Sequence, residues 1–207
     1  MIRRILRRVV LVSAFGFAAF AAQAQAATVI GQTAPPGECS DPNFGSQVQL
    51  SATGTSYTVP FDGTITGWSA ASDAAGVQTS LLVLQPVSGT TFKVVAKSGP
   101  GTFSVPGVQT FPAQIPVHAG EVIGDWGKLC AIETGGSDVF GVSGGPEPAL
   151  GSSPDFPAGS PGALVNLSAT VEQAGSTPTK HKKCKKKKHK RSAESAKKKK
   201  CKKKKRK

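Results

Sequence analysis

Residues 28–179 are poor in almost everything that catalytic chemistry draws on. They hold one histidine (His118), two cysteines (Cys39 and Cys130), one tyrosine and three lysines (Lys93, Lys97 and Lys128). They contain no CxxC, no HExxH, no phosphate-cradling glycine loop and no EF-hand loop. One histidine without a matched partner supports neither a nucleophile triad nor a zinc site, so it reads as an exposed turn residue. Aromatic residues make up 6% of the chain. Long apolar runs are missing too: VVLVSAFGFAAFA, 13 residues, is too short for a membrane-spanning helix, which needs roughly 20. No window of helical period is long enough for a helix, and glycine and proline recur too often to allow one.

What is present is strand pattern. SQVQLSA sets Val48 and Leu50 against Gln47 and Gln49, and TFKVVAKS sets Phe92, Val94 and Ala96 against Lys93 and Lys97. ALVNLSATVEQ sets Val165, Leu167, Ala169 and Val171 against Asn166, Ser168 and Thr170. A period of two marks a strand with one buried face. VQTSLLVLQ is continuously apolar from Leu81 to Leu84, which predicts a central strand covered on both sides. TVIGQ, SYTVP, GTITGWSAA, QTFPAQIPV, EVIGDW, KLCAIE and DVFGVS are further strand candidates. Short strands separated by turn signals predict an all-β antiparallel sandwich, jelly-roll-like, over residues 28–173. Gly144 to Gly162 is a long Pro/Gly/Ser loop, suited to an Ω-loop or a lid.

The N-terminus, residues 1–27, reads as a secretory signal. MIRRILRR is basic, the apolar stretch follows, and AQAQAA offers cleavage after Ala24, Ala26 or Ala27. RRILRR is a poor match to the twin-arginine pattern, which favours ordinary secretion. In an oxidising compartment Cys39 and Cys130 are expected to pair. Their closed loop of about 90 residues is worth roughly 4 to 5 kcal/mol in the chain-entropy model.

Three local patterns invite chemistry and fall short of it. Gly141-Val-Ser143-Gly-Gly145 fits G-x-S-x-G, but Pro146 and Pro148 follow where the nucleophile elbow needs a helix. Asp41-Pro-Asn43 places two oxygens at a calcium-like spacing and nothing more. Asn166-Leu-Ser168 fits a glycosylation acceptor but sits in a strand run. No cofactor or metal is expected. Trp68 and Trp126 are candidates for a glycan-stacking surface, against the plainer reading of buried anchors.

Charge is distributed unequally. Residues 28–179 carry eleven acids against three lysines, a net charge of −8, whereas the final 28 residues hold 19 Lys or Arg against Glu194 alone. AGSTPT (174–179) is a flexible linker, and residues 174–207 are expected to form a disordered basic tail. Its candidate polyanion-binding residues are Lys182, Lys183, Lys185, Lys186, Lys187, Lys188, Lys190, Arg191, Lys197, Lys198, Lys199, Lys200, Lys202, Lys203, Lys204, Lys205, Arg206 and Lys207. KKCKKKKHKR recurs as KKCKKKKRK, offset by 17 residues, with one cysteine in each copy, Cys184 and Cys201. Nearby cations lower a thiol's pKa, so these cysteines suit a disulfide within or between molecules.

SYTVPFDGTITGWS, FPAQIPVHAGEVIG, LVNLSATVE and the tail together resemble a group of exported bacterial proteins of actinobacterial type, with a jelly-roll-like domain and a Lys-rich, Cys-containing C-terminal tail. The resemblance covers nearly the whole chain after the signal. It implies a fold and export, and carries no activity, cofactor or site.

The resulting expectation is a non-enzymatic protein, secreted or held at the cell envelope, with no transmembrane span after cleavage. The tail would hold it to anionic envelope polymers or lipid headgroups rather than to specific nucleic acid. A carbohydrate-binding module with the tail adding avidity is the second reading. A hydrolase using the long loop as a lid ranks third.

Overall fold

Runs rich in valine, isoleucine, threonine and phenylalanine become strands here, and Gly, Pro and Ser-rich segments end them. The computed structural model describes residues 27–37, 39, 45–128, 130–159 and 161–174. Among the described residues there is no helix. The strands are β1 (Thr28–Gln32), β2 (Gly45–Ser51), β3 (Gly63–Ser72), β4 (Gln78–Ser88), β5 (Thr91–Lys97), β6 (Gly101–Thr102), β7 (Gly107–Val117), β8 (Val122–Gly127), β9 (Ala131–Glu133), β10 (Val139–Gly144), β11 (Ala163–Val165) and β12 (Leu167–Gln173).

One sheet runs β1-β12-β3-β7; the second runs β10-β2-β8-β4-β5, with β6 also on β4; β11 and β9 form a small third pair. Every pairing between two of these strands is antiparallel. Four of the pairs nest in the sequence: β4 with β5, β3 with β7, β2 with β8, and β1 with β12. A long hairpin folded over on itself gives this order, which is the jelly-roll arrangement of two Greek keys.

Leu81, Leu82, Val83 and Leu84 are all fully buried, as expected of a central strand. Residues opposite one another in a ladder share a face. Leu81, Asp125 and Gln47 therefore lie on one surface of the second sheet, and Leu82, Gly124, Val48 and Gly141 on the other. The first surface faces the four-stranded sheet. The second is covered by the long loop, which is no lid hinged away from the fold. It bonds one edge of the sheet through Phe92 N–H to Pro154 O (3.1 Å) and Phe156 N–H to Thr90 O (2.9 Å). It bonds the opposite edge through Gly159 N–H to Phe140 O (2.8 Å). Phe156 is fully buried and meets Phe92 edge-on, ring centroids 5.8 Å apart. Gly141 makes room for it: a Cβ there would overlap the Phe156 carbonyl oxygen.

Cys39 and Cys130 are disulfide-bonded, their Cα atoms 4.5 Å apart and 91 residues apart in sequence. The bond ties the β1–β2 connection to the β8–β9 connection. The ALVNLSATVEQ run, read as one strand, divides at Asn166 into β11 and β12, which serve different sheets. At the division Asn166 bonds the β1–β2 connection: its Oδ1 accepts from Ala34 N–H and its Nδ2 donates to Ala34 O, both at 3.0 Å. SYTVP forms only an isolated bridge, Thr58 to Val122, where β2 no longer covers β8. KLCAIE keeps only β9 as strand. The β7 edge of the first sheet contains Pro112 and Pro116, which lack the N–H another strand would need.

Phe156→Ala is expected to cost about 3 to 5 kcal/mol, the range for removing a buried phenylalanine. Gly141→Ala should destabilise by overpacking the same contact. Urea unfolding measures both; a loss below 1 kcal/mol for Phe156→Ala would mean the loop is not part of the core.

Candidate functional site

The two tryptophans do not form a common platform. Trp68, on β3, is 1% exposed and stacks on Phe111 with ring centroids 4.6 Å apart. Trp126 belongs to the other sheet, is half-buried, and donates its Nε1–H to Gly145 O at 3.2 Å. Both are structural anchors, because each indole fills space beside a neighbouring strand or loop rather than standing clear of the surface.

Trp68 does form one wall of a cleft of about 460 Å³ between residues 97–101 and residues 111–115. This volume lies in the range of small-ligand pockets. Phe111, Pro100 and Pro112 make the cleft apolar, and Gln114 and Ser98 supply polar groups. Lys97 also lines it, but its ammonium is 3.2 Å from a Glu147 carboxylate oxygen and 3.4 Å from Pro148 O. The cleft therefore presents little free charge.

His118 lies in the turn between β7 and β8 and is exposed, as expected. Its Nδ1 lies 3.5 Å from Asp62 Oδ1. The turn is built by carboxylates: Asp62 accepts from Ala119 N–H (2.9 Å), and Glu121 accepts from His118 N–H (2.8 Å). The Ala119 N–H, with His118 beside it, holds the Asp62 carboxyl below the usual range. Lys128 contacts Asp73 at 2.5 Å and lowers that carboxyl likewise. Ser143 sits in the edge strand β10, opposite Ser46, and an irregular loop follows. The strand-to-helix turn of a nucleophile elbow is absent there, and the first glycine of that motif is the packing partner of Phe156. Among the described residues no group of three or more His, Cys, Asp or Glu is placed to hold a metal. No helix among them is long and apolar enough to cross a membrane.

Cys184, Cys201 and the basic residues 182–207 lie outside the described residues, as do Asp41, Asn43 and residues 1–26 of the segment read as a secretory signal. Asn166 is 2% exposed and committed to Ala34, which leaves no amide free for a glycan.

The polar residues that sequence reading misplaced are Gln47 and Gln49. Their alternation with Val48 and Leu50 assigned them to solvent, yet both are buried. They point between the sheets, and Val48 is buried on the opposite face because the long loop covers it. Gln49 is satisfied by backbone: Oε1 accepts from Val165 N–H (2.8 Å), and Nε2 donates to Ser51 O (2.6 Å) and Val139 O (3.0 Å). Tyr57 donates to Val165 O at 2.5 Å, and burial raises its phenol well above the ordinary range. Glutamine at alternate strand positions looks solvent-facing, and nothing local distinguishes it from an inward amide.

No family model, curated protein or solved structure matches the chain.

With Trp126→Phe, the remaining indole should emit at short wavelength and resist acrylamide, because Trp68 is only 1% exposed although it lines the cleft. Quenching approaching that of free tryptophan would show that the cleft opens onto it.

Proposed function

We propose that this is an exported, non-enzymatic β-sandwich protein retained on anionic envelope polymers or lipid headgroups by its C-terminal cationic run. The observation that carries this reading is the division of charge: 19 Lys or Arg in the last 28 residues, after a segment of net charge −8. Two of that segment's three lysines are already engaged, Lys97 with Glu147 and Lys128 with Asp73. The domain therefore has little with which to hold a polyanion and would be repelled by one. Each lysine near an anionic membrane surface contributes about 1 kcal/mol, fading over roughly 8 Å at physiological salt. A fraction of the run suffices for firm, salt-sensitive, sequence-blind adhesion. The Cys39–Cys130 disulfide fits an oxidising compartment. Cys184 and Cys201 suit cross-links within the run or between copies, which a bound polyanion favours by screening the lysines.

The cleft beside Trp68 supports the second reading, a carbohydrate-binding module in which the cationic run adds avidity. A glycan array probed with protein lacking residues 176–207 separates the two, since only the module reading leaves glycan binding intact.

Deleting Ser176 to Lys207 should leave the melting temperature within about 2 °C of the intact protein and abolish retention on isolated envelopes. Retention by the truncated protein would overturn the adhesion reading. A large drop in melting temperature would mean that the run packs on the acidic domain.

A further inference from the structure

Gln47 and Asp125 are direct cross-strand neighbours on β2 and β8, on the surface turned toward the four-stranded sheet. They are 1% and 3% exposed. Gln47 Nε2 donates to Asp125 Oδ2 at 3.4 Å. The other oxygen of each side chain, Gln47 Oε1 and Asp125 Oδ1, is buried without a hydrogen-bond partner. If the carboxylate is ionised, both orphans are acceptors and neither can satisfy the other. A single proton resolves both: an acid O–H directed at the amide oxygen, beside the amide N–H directed at the acid carbonyl. We infer that Asp125 carries its proton in the native protein at pH 6 and shares it with Gln47 Oε1, closing an acid–amide pair across β2 and β8.

Among the described residues, no cation is paired with the Asp125 carboxylate. β1, β2, β3, β4, β7 and β10 contain no ionisable side chain. On β12 only Glu172 is ionisable, and it is exposed; on β5, Lys93 is exposed and Lys97 is paired with Glu147. The titratable group electrostatically coupled to Asp125 is Tyr57, a phenol held neutral by burial, which also feels Asp138. Burial pushes the Asp125 carboxyl up to about 7, and the Gln47 amide offsets this only in part.

The consequence is a pH-graded core. The folded carboxyl holds its proton more tightly than the unfolded one, whose ordinary value is 3.8. The stability it confers is therefore complete below about pH 3.8, declines as the unfolded state alone ionises, and is lost as pH rises through about 7. Between pH 5.5 and 8.5 the unfolding equilibrium constant should rise roughly thirtyfold from this group alone.

Two measurements on the full chain test the inference. With ¹³C-labelled aspartate, the Asp125 carboxyl carbon should resonate as the acid at pH 6 and move to the carboxylate position only at higher pH. A carboxylate signal at pH 6 would overturn the inference, with no variant required. In urea unfolding, Asp125→Asn should remove the thirtyfold change between pH 5.5 and 8.5, and every group common to the two proteins cancels in the comparison. Equal pH dependence in the two proteins would contradict the pair.

Discussion

Nested antiparallel pairing is the constraint on which the rest of this domain depends. β12 lies between β1 and β3, so the first sheet is incomplete until the chain reaches Gln173. Pairings that join residues so far apart make the closure entropy costly before any contact repays it, and folds of this kind form slowly. The Cys39–Cys130 bond shortens that search by tying two connections across 91 residues. In sequence, the cationic run starts at Lys180, separated by residues 174–179 from the last strand, which ends at Gln173. Ala174 N–H is bonded to Asp62 O at 3.1 Å, so the pairing that closes the described fold extends one residue past β12.

The same topology makes the interior partly polar. Where the chain leaves β11 for β12 it changes sheets, and backbone groups at such a step lose their ladder partners. Side chains supply them: Gln49 and Tyr57 bond Val165, and Asn166 bonds Ala34. Asp125 and Gln47 stand on the same inward surface, and the proton inferred between them completes its hydrogen bonding. For a protein held at an anionic surface this has a further effect. A surface potential near −30 mV concentrates protons and lowers local pH by about half a unit, toward the range in which that pair is closed.

Strands were legible in the sequence wherever one face was dry and the other wet, as in β5, or where both were dry, as in β4. Their period and length express burial directly. Partner choice was not legible, because hydrogen-bonded pairing is set by sheet closure rather than by local pattern. The loop from Gly144 to Gly162 could be read as irregular but not as cover: its anchor, Phe156, looks unremarkable until Gly141 is seen beneath it. Gln47 and Gln49 were misassigned because alternation reports two different faces without saying which is wet. Asp125, in the run EVIGDW, carried no local sign of its buried partner. The disulfide could be anticipated, since the two cysteines between residues 28 and 173 leave a single pairing within the domain.

Charge separation joins these parts into one proposal: an acidic domain that has little of its own to hold a polyanion, followed by a cationic run that would hold one. The most direct measurement is adsorption of the intact protein to vesicles of mixed neutral and anionic lipid across a salt series. The account predicts affinity that falls steeply with ionic strength, vanishes when the anionic lipid is omitted, and is indifferent to added sugars. Binding that persists unchanged into 1 M salt, or that is equal on neutral vesicles, would contradict it.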